Sequence, residues 1–512
     1  MTNLVRVYRD TYVDSVAQLR GMRAMRDTPG VQWSTALMAT PANVAALRAE
    51  GAETGELQET GPNDFCLAVR ADSEQSAKQA IDAGAAAIFA SRELGASGPE
   101  RQSRSVWEAV AGQPNSTVAV ISVPGEYAAL AAFQALGAGL HVLLFSDNVP
   151  VEKEIALKSY ARSRGLLLMG PGAGTAMLAQ TSLGFANAVT PGQVGVVAAA
   201  GTGAQESMSL LDRWGVGVSH VIGLGGRDLS EQVGGQMALS AVAALRDDPG
   251  TDAILLVSKP PSPEVARVVL DSAGPKPIVA ALIGLDATNL PVPAGVTLAR
   301  TLETGVAATL ASLGRSAPRT TTLLGPRVEQ ARSRLAPTRT LVRGLFSGGT
   351  LCYESLVILG DVLGAVYSNT PIDPACCLPA PRGSHQCLDL GEEEFTRGRP
   401  HPMIDAEARV DILRDHAADQ QVAAVIIDVV LGFGAHPDPA SVLAPVCSQI
   451  MSTGGPQLVV YVLGTEQDPQ QLDRQRDAFA RAGCIVTETA ARASLTAAAV
   501  ATGNAGLVEA RL

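Results

Sequence analysis

A short pattern that occurs twice constrains this chain more than any other feature. Residues 191–207, PGQVGVVAAAGTGAQES, run from a β-branched stretch (Val194, Val196, Val197) through small residues into Gly201-Thr202-Gly203 and a helix-compatible segment. Residues 341–355, LVRGLFSGGTLCYES, do the same. Gly201-Thr202 aligns with Gly349-Thr350 and Glu206-Ser207 with Glu354-Ser355, at one constant offset (349 − 201 and 354 − 206 are both 148). The pattern reads as strand, tight glycine turn and helix N-terminus. The first amides of such a helix have no partner inside it and carry the positive end of its dipole, so each turn can hold an anion.

The correspondence continues downstream. Residues 220–225 face 386–391, residues 253–257 face 425–429, and residues 276–280 face 456–460. A last strand-and-helix pair closes each half, at 296–300 and 484–488. Any two parallel sheets share alternating strands and helices, but not Gly-Thr and Glu-Ser at fixed spacing. The chain therefore carries a duplicated α/β unit, each copy opening on a GTxxxES loop. Ahead of it, Val118–Val123, Leu140–Phe145 and Leu166–Met169 alternate with helical stretches. Their loops Ser122–Gly125, Ser146–Asn148 and Gly170–Gly172 fall at carboxyl ends of parallel strands, where open α/β sheets bind ligands. Residues 1–90 alternate strand and helix as a small α/β domain of ferredoxin-like character, with a capped, proline-started helix at Thr40-Pro41. The Ser/Gly/Pro-rich stretch 90–116 reads as a linker or exposed loop, with a short helix around Trp107. The expected domains are 1–90, 117–190, 191–320 and 339–512.

Charge and cysteine content narrow the function. Over 512 residues, 39 Lys and Arg stand against 50 Asp and Glu, a net −11 without a basic stripe. That argues against nucleic acid or an anionic membrane as partner. No apolar run is long enough to span a bilayer and the N-terminus lacks a signal-peptide core, so a cytoplasmic protein is expected. The seven cysteines are scattered and odd in number, as in a reduced compartment. Cys376-Cys377 with Cys387 lack the spacing of a metal site, and no metal is expected.

Several motifs carry a resemblance. Residues 121–128 (ISVPGEYA), 145–150 (FSDNVP) and 168–171 (LMGP) resemble the latter half of the CoA-binding domain of the succinyl-CoA synthetase α subunit. The first Gly-Thr unit resembles that subunit's ligase domain, and the second the corresponding β-subunit domain. Together with 38–43 (MATPAN), 223–230 (GLGGRDLS) and 398–405 (GRPHPMID), the whole chain is similar to the FdrA-like proteins, which are acyl-CoA synthetase relatives. The implied fold class is multidomain α/β: a small N-terminal domain, a Rossmann-like CoA-binding-type domain and two duplicated flavodoxin-like domains. Some FdrA-like proteins are linked to ureide breakdown as an oxamate carbamoyltransferase subunit. The resemblance thus implies a carbamoyl or acyl transferase subunit using phosphate or carbamoyl phosphate. The alternatives are an acyl-CoA ligase subunit that binds CoA, and a non-catalytic scaffold. No cofactor is required by the residues themselves. Other protein subunits and a homo- or hetero-oligomer are implied.

One departure bears on the chemistry. The ligases pass phosphate through a histidine in a Gly-His-Ala-Gly loop. Here the corresponding loop, Gly284–Asn289, has none, and no histidine stands between His220 and His385. An imidazole is hard to replace as a phosphoryl carrier near neutral pH. Two anion-holding turns without a covalent carrier suit acyl transfer through a tetrahedral oxyanion stabilised by prearranged N–H dipoles.

The candidate binding residues are Gly201, Thr202, Gly203, Gly348, Gly349 and Thr350, with an ordinary helix cap as the plain alternative. Glu206 and Glu354, one turn inside their helices, are candidates for acid–base work or for dipole stabilisation. Arg227 and Asp228 follow a glycine run and read as an anion clamp or a surface salt bridge. Arg397, Arg399 and His401 crowd a proline-punctuated loop, where they bind an anion and move a proton or simply pack. His436 and Asp438 are second-rank candidates, and His141 is expected to be structural.

Overall fold

The fold is that of a computed structural model describing residues 2–13, 15–52, 55–93, 103–286, 290–396 and 400–512. The chain divides into two compact units, Met1–Gln102 with Gly391–Asp405, and Ser103–Leu390 with Ala406–Leu512.

The first unit is built on an antiparallel sheet of β1 (Thr2–Tyr8), β2 (Val31–Met38) and β3 (Phe65–Ala71), in the order β1-β3-β2. Central β3 reads FCLAVRA, and the two-residue period of a strand sends its side chains to two different cores. Phe65, Leu67 and Val69 pack with Met25 and Ile81 from α1 (Ser15–Arg26) and a helix at Glu74–Glu93. Cys66 and Ala68 pack with Leu47 of α2 (Pro41–Ala49) on the other face. The helix α3 (Glu74–Glu93) crosses α1 at two glycines, Gly21 and Gly84. A Cβ on Gly84 would lie 2.6 Å from Met25 Cγ, so only glycine allows that approach. As expected, Thr40 Oγ1 accepts from the Asn43 amide at the start of α2.

The second unit opens with β4 (Val118–Ile121), α4 (Gly125–Gly137), β5 (His141–Leu144), α5 (Val151–Ser163) and β6 (Leu168–Met169), a three-stranded parallel sheet. This is half of a Rossmann-type domain. The boundary expected at residue 190 lies earlier, because the hairpin of β7 (Thr175–Leu178) and β8 (Thr181–Gly184) pairs with the next sheet through Met177 and Val221. That sheet contains β9 (Pro191–Ala198), β10 (Val218–Gly223), β11 (Ala253–Ser258), β12 (Ile278–Leu282) and β13 (Val296–Ala299). Its helices are α6 (Gly201–Arg213), α7 (Gln236–Asp247), α8 (Pro263–Asp271) and α9 (Leu302–Ser312).

The second half repeats the plan. It contains β14 (Leu341–Phe346), α10 (Gly349–Leu363), β15 (Val366–Ser368), β16 (His385–Asp389), α11 (Val410–Ala418) and β17 (Val422–Val430). It continues with α12 (Pro439–Ser452), β18 (Gln457–Leu463), α13 (Leu472–Arg481), β19 (Ile485–Thr487) and α14 (Ala490–Thr502). Strand order is β13-β12-β11-β9-β10 in the first copy and β19-β18-β17-β14-β16 in the second. Both are parallel and both follow the flavodoxin-like 2-1-3-4-5 order, so the duplication is structural as well as sequential. β17 and β18 are buried along their whole length, as parallel strands covered on both faces must be. Among the described residues, no helix is long and apolar enough to cross a membrane.

Candidate functional site

The two Gly-Thr turns meet. α6 starts three residues after β9 and α10 three residues after β14, so each turn sits at the carboxyl end of its central strand. The Thr350 amide donates to Thr202 Oγ1 at 3.2 Å. A Cβ on Gly348 would lie 2.8 Å from Thr202 Cγ2, and one on Gly203 would lie 3.0 Å from Thr350 Cγ2. A side chain at either position would press on the threonine of the opposite turn, so the two glycines let the turns close on each other. The turns therefore face one another in direct contact, and Thr202 takes one α10 amide that an anion was expected to use.

The second turn is further tied down from beneath. Asp428, 1% exposed near the end of β17, accepts from the Ser347 amide (2.7 Å), Ser347 Oγ (2.9 Å) and the Gly348 amide (2.8 Å). Buried Arg409 donates to Asp428 Oδ1 (3.1 Å) and to the Leu345 carbonyl (2.6 Å). Burial pulls the Arg409 guanidinium below its ordinary pKa, against the attraction of Asp428. The first turn is more open. Gly201 is exposed, and no side chain of its N-cap residue, Ala200, caps α6.

Two side chains complete the junction that sequence reasoning passed over. A Cβ on Gly349 would collide with the buried Asp389 carboxylate and would lie 3.4 Å from Lys259 Nζ. Lys259 follows β11 directly, and its ammonium lies 5.9 Å from the centre of the Tyr353 ring. The signal for Lys259 was its place after a parallel strand, at the sheet end where ligands bind. Gly284 packs beside the same tyrosine, its φ of +79° allowing the turn after β12. The loop that holds the histidine in the ligases therefore reaches α10. A cavity of about 830 Å³ borders it, lined in part by Leu285, Asp286, Val357 and Ile372. Residues 287–289 of that loop lie outside the described residues.

The other sequence-derived candidates fall elsewhere. Glu206 and Glu354 do not line the turns. Each is 1% exposed and points into the seam between the two halves. Glu354 Oε1 accepts from the Leu302 amide at 2.6 Å, capping α9 of the first half. Glu206 accepts from the Tyr461 hydroxyl and from the Ala490 amide, capping α14 of the second half. Desolvation raises Glu206 to a pKa of about 7 and Glu354 to about 8, from an ordinary 4.5. Sealed from solvent in this way, both carboxyls serve as caps of helices in the opposite half.

The raised values give a sign. As pH rises past 4.5 the unfolded chain ionises these carboxyls first, so unfolding becomes easier until pH has passed the folded values of about 7 and about 8. Glu354→Gln keeps an acceptor for Leu302 without a titrating proton. It is expected to match the parent in urea unfolding at pH 4.5 and to exceed it at pH 8.5. Equal stability at both pH values would show that Glu354 is not held protonated.

Arg227 and Asp228 belong to a different cluster. Asp228 is fully buried, bonded to Lys158 Nζ (2.8 Å) and to the α7 amides of Met237 (3.2 Å) and Ala238 (2.9 Å). Arg227 Nε donates to Glu154 Oε2 (2.8 Å) and Nη2 to the Val149 carbonyl (2.6 Å). Arg227, its side chain 46% exposed, and buried Asp228 thus tie α5 to the loop after β10, and for Arg227 the observed contact is the salt bridge of the two expected roles. Arg397 and Arg399 lie outside the described residues. His401 belongs to the first compact unit, where its Nδ1 accepts from the Met403 amide at 3.2 Å. His436 is buried, with Nδ1 accepting from the Asp438 amide (3.0 Å), and His141 Nδ1 accepts from the Leu167 amide (3.0 Å).

Residues 345–500 match the family model described as CoA-ligase, and residues 1–104 the model described as AllF, heavy metal-associated domain. Over 504 residues the chain is 39% identical to "uncharacterized protein YahF" of Escherichia coli K12, covering 95% of this chain and 96% of that protein. It is 28% identical over 182 residues to the malate–CoA ligase α subunit of Methylorubrum extorquens, covering 34% of this chain and 60% of the subunit. Against succinate–CoA ligase (ADP-forming) α subunit 2 of Archaeoglobus fulgidus, identity is 31% over 189 residues, covering 36% of this chain and 64% of the subunit. The chain thus spans less than two thirds of each of these α subunits. The heavy-metal description finds no matching donors: residues 1–104 contain no histidine and one cysteine, Cys66, buried in β3. Among the described residues no group of three or more His, Cys, Asp or Glu could hold a metal ion.

Proposed function

From the premise that this chain belongs to the YahF family of FdrA-like proteins, relatives of the CoA ligases, we propose that it is an acyl-CoA ligase-type subunit. In this reading it exchanges an acyl group between phosphate and CoA and leaves nucleotide chemistry to a partner chain. The observation that carries the reading is the contact of the two glycine turns beside Lys259. Two helix N-termini and an ammonium at one point favour a doubly charged leaving group and the oxyanion next to it.

The step balances without an oxidant or a covalent enzyme intermediate. The CoA sulfur attacks the carbonyl of an acyl phosphate, forming a C–S bond and a tetrahedral oxyanion. Collapse breaks the C–O bond to phosphate, which leaves with the electron pair. The thiol proton passes to phosphate or solvent. No histidine is needed, which agrees with its absence between His220 and His385. The half-Rossmann segment supports CoA as the acceptor, since its loops 122–125, 146–148 and 170–172 end adjacent parallel strands. Val123 donates to Ser146 Oγ at 2.9 Å there. The likeness to subunits named α supports partner chains. Carbamoyl transfer gains no support from these relatives and enters as a comparison in the test.

The test is calorimetric titration of the full chain with acetyl phosphate, carbamoyl phosphate, inorganic phosphate and CoA, together with CoA-dependent release of phosphate from acetyl phosphate. Binding of acetyl phosphate and CoA is expected. Lys259→Ala removes a charge-assisted contact of about 1.5–3 kcal/mol, so acetyl phosphate should bind at least about tenfold more weakly, with CoA binding unchanged. Failure of the parent to bind any of these ligands, or equal acetyl phosphate affinity in Lys259→Ala, overturns the reading. Binding of carbamoyl phosphate without CoA would replace it with carbamoyl transfer.

A further inference from the structure

The halves of the second unit meet about an approximate twofold axis, and the reciprocal caps show it. Glu206 of the first copy caps α14 of the second, and the equivalent Glu354 caps α9 of the first. Both capped helices begin on a threonine N-cap, Thr301 and Thr489, which sets a second constant offset (489 − 301 = 188). With both offsets fixed, each residue of α6 and of the α9 start has an equivalent in α10 and at the α14 start.

The equivalent positions carry opposite charges. Arg213, twelve residues into α6, pairs with Glu488, the residue before the second cap. Its counterpart, Asp361, pairs at 2.8 Å with Arg300, the residue before the first cap. The same two positions therefore form a salt bridge on each side of the axis with reversed polarity, and each pair borders a cavity. A third pair lies within the seam. Arg492 of α14 donates to Glu303 of α9 at 2.8 and 3.0 Å, with the two side chains only 11% and 8% exposed. The equivalent of Glu303 is Ala491, and that of Arg492 is Thr304.

We infer that this seam is a charge code by which each half accepts the other kind of half and rejects a second copy of itself. Two first halves paired in the same way would set Arg213 against Arg300 twice. Two second halves would set Asp361 against Glu488 twice. Either self-pairing also loses the Glu303–Arg492 bond and leaves one of those charges buried without its partner, a costly arrangement. A shared fold and shared caps would by themselves allow self-pairing, so the reversed charges are the element that discriminates. The partner this surface fits is thus the opposite-polarity half of the same chain.

Two double variants of the full chain separate the code from packing, because both change two charges and keep net charge constant. Arg300→Asp with Asp361→Arg exchanges one pair and preserves complementarity between unlike halves. Arg213→Asp with Asp361→Arg instead makes both pairs repulsive within a chain and complementary between like halves of two chains. The first should unfold within about 1 °C of the parent and keep its sedimentation coefficient. The second should lose about 3 °C or more in thermal midpoint, or associate further, with Arg213→Gln reporting the cost of losing the Arg213 stem alone. Equal midpoints and equal association for the two double variants would overturn the inference. So would a midpoint for Arg300→Asp with Asp361→Arg as low as that of Asp361→Arg alone.

Discussion

Asp428→Ala is expected to cost about 3–5 kcal/mol of stability and to abolish anion binding at the turn junction. The carboxylate is 1% exposed and serves four donors: two backbone amides of the second turn, the Ser347 hydroxyl and Arg409. Removing it leaves a buried guanidinium without its counter-charge, and breaking a buried pair from one side costs roughly that amount. It also orphans the Ser347 and Gly348 amides, each a buried donor with its own desolvation penalty. Besides the Asp428 carboxylate, Arg409 donates to the backbone carbonyls of Asp428 and Leu345, so it cannot swing out to water without breaking those bonds. Asp428→Asn keeps an acceptor for the amides and is expected to fall between parent and Asp428→Ala. Urea unfolding and acetyl phosphate titration on the same samples check both effects. A loss below 1 kcal/mol, or unchanged ligand binding in a folded Asp428→Ala protein, would show that the turn is positioned by something else.

How much of this was legible in the sequence depends on whether the determining contacts were local. The Gly-Thr turns were readable because their geometry is written in adjacent residues: a strand, glycines for a close approach, then a helix start. Their convergence was to be expected only from the resemblance to the paired ligase domains, because copying a unit does not fix how the copies pack. Glu206 and Glu354 were found by the same repeat but given the wrong surroundings. Five residues into a helix, a side chain has turned well away from the N-terminus, and only the second half of the chain shows that this face is sealed. Lys259 was overlooked because it has no counterpart in the repeat; its significance is purely spatial, beside Gly349 and Tyr353. The domain boundary near 190 was misplaced because an antiparallel hairpin, Thr175–Gly184, changes sheets without a change of composition. The orphaned hydroxyl of Ser207 has a similar origin. Its equivalent, Ser355, bonds Ser494 at 2.7 Å, whereas the residue equivalent to Ser494 in the first half is Val306.

The clearest case of a long-range determinant is Lys158, and it yields the other large effect. On paper Glu154 and Lys158 are an i,i+4 helix pair of the kind that decorates surfaces, worth a few tenths of a kcal/mol. In the fold Lys158 is completely buried. Its three protons are all used, on Glu154 Oε1 (2.7 Å), Asp228 Oδ1 (2.8 Å) and the Leu224 carbonyl (3.0 Å). The ammonium joins the half-Rossmann helix α5 to the loop that starts α7. Lys158→Met fills most of the space but leaves two carboxylates within hydrogen-bond reach of nothing cationic except Arg227, which touches only Glu154. The expected loss is about 3–5 kcal/mol at pH 7. Glu154→Gln added to Lys158→Met removes one of the two orphaned charges and should recover part of the loss, whereas a defect of shape alone would leave the loss unchanged. Urea unfolding of the parent and both variants at pH 7 decides between the readings. No recovery from Glu154→Gln would mean that packing rather than charge holds α5 against the ligase-like sheet.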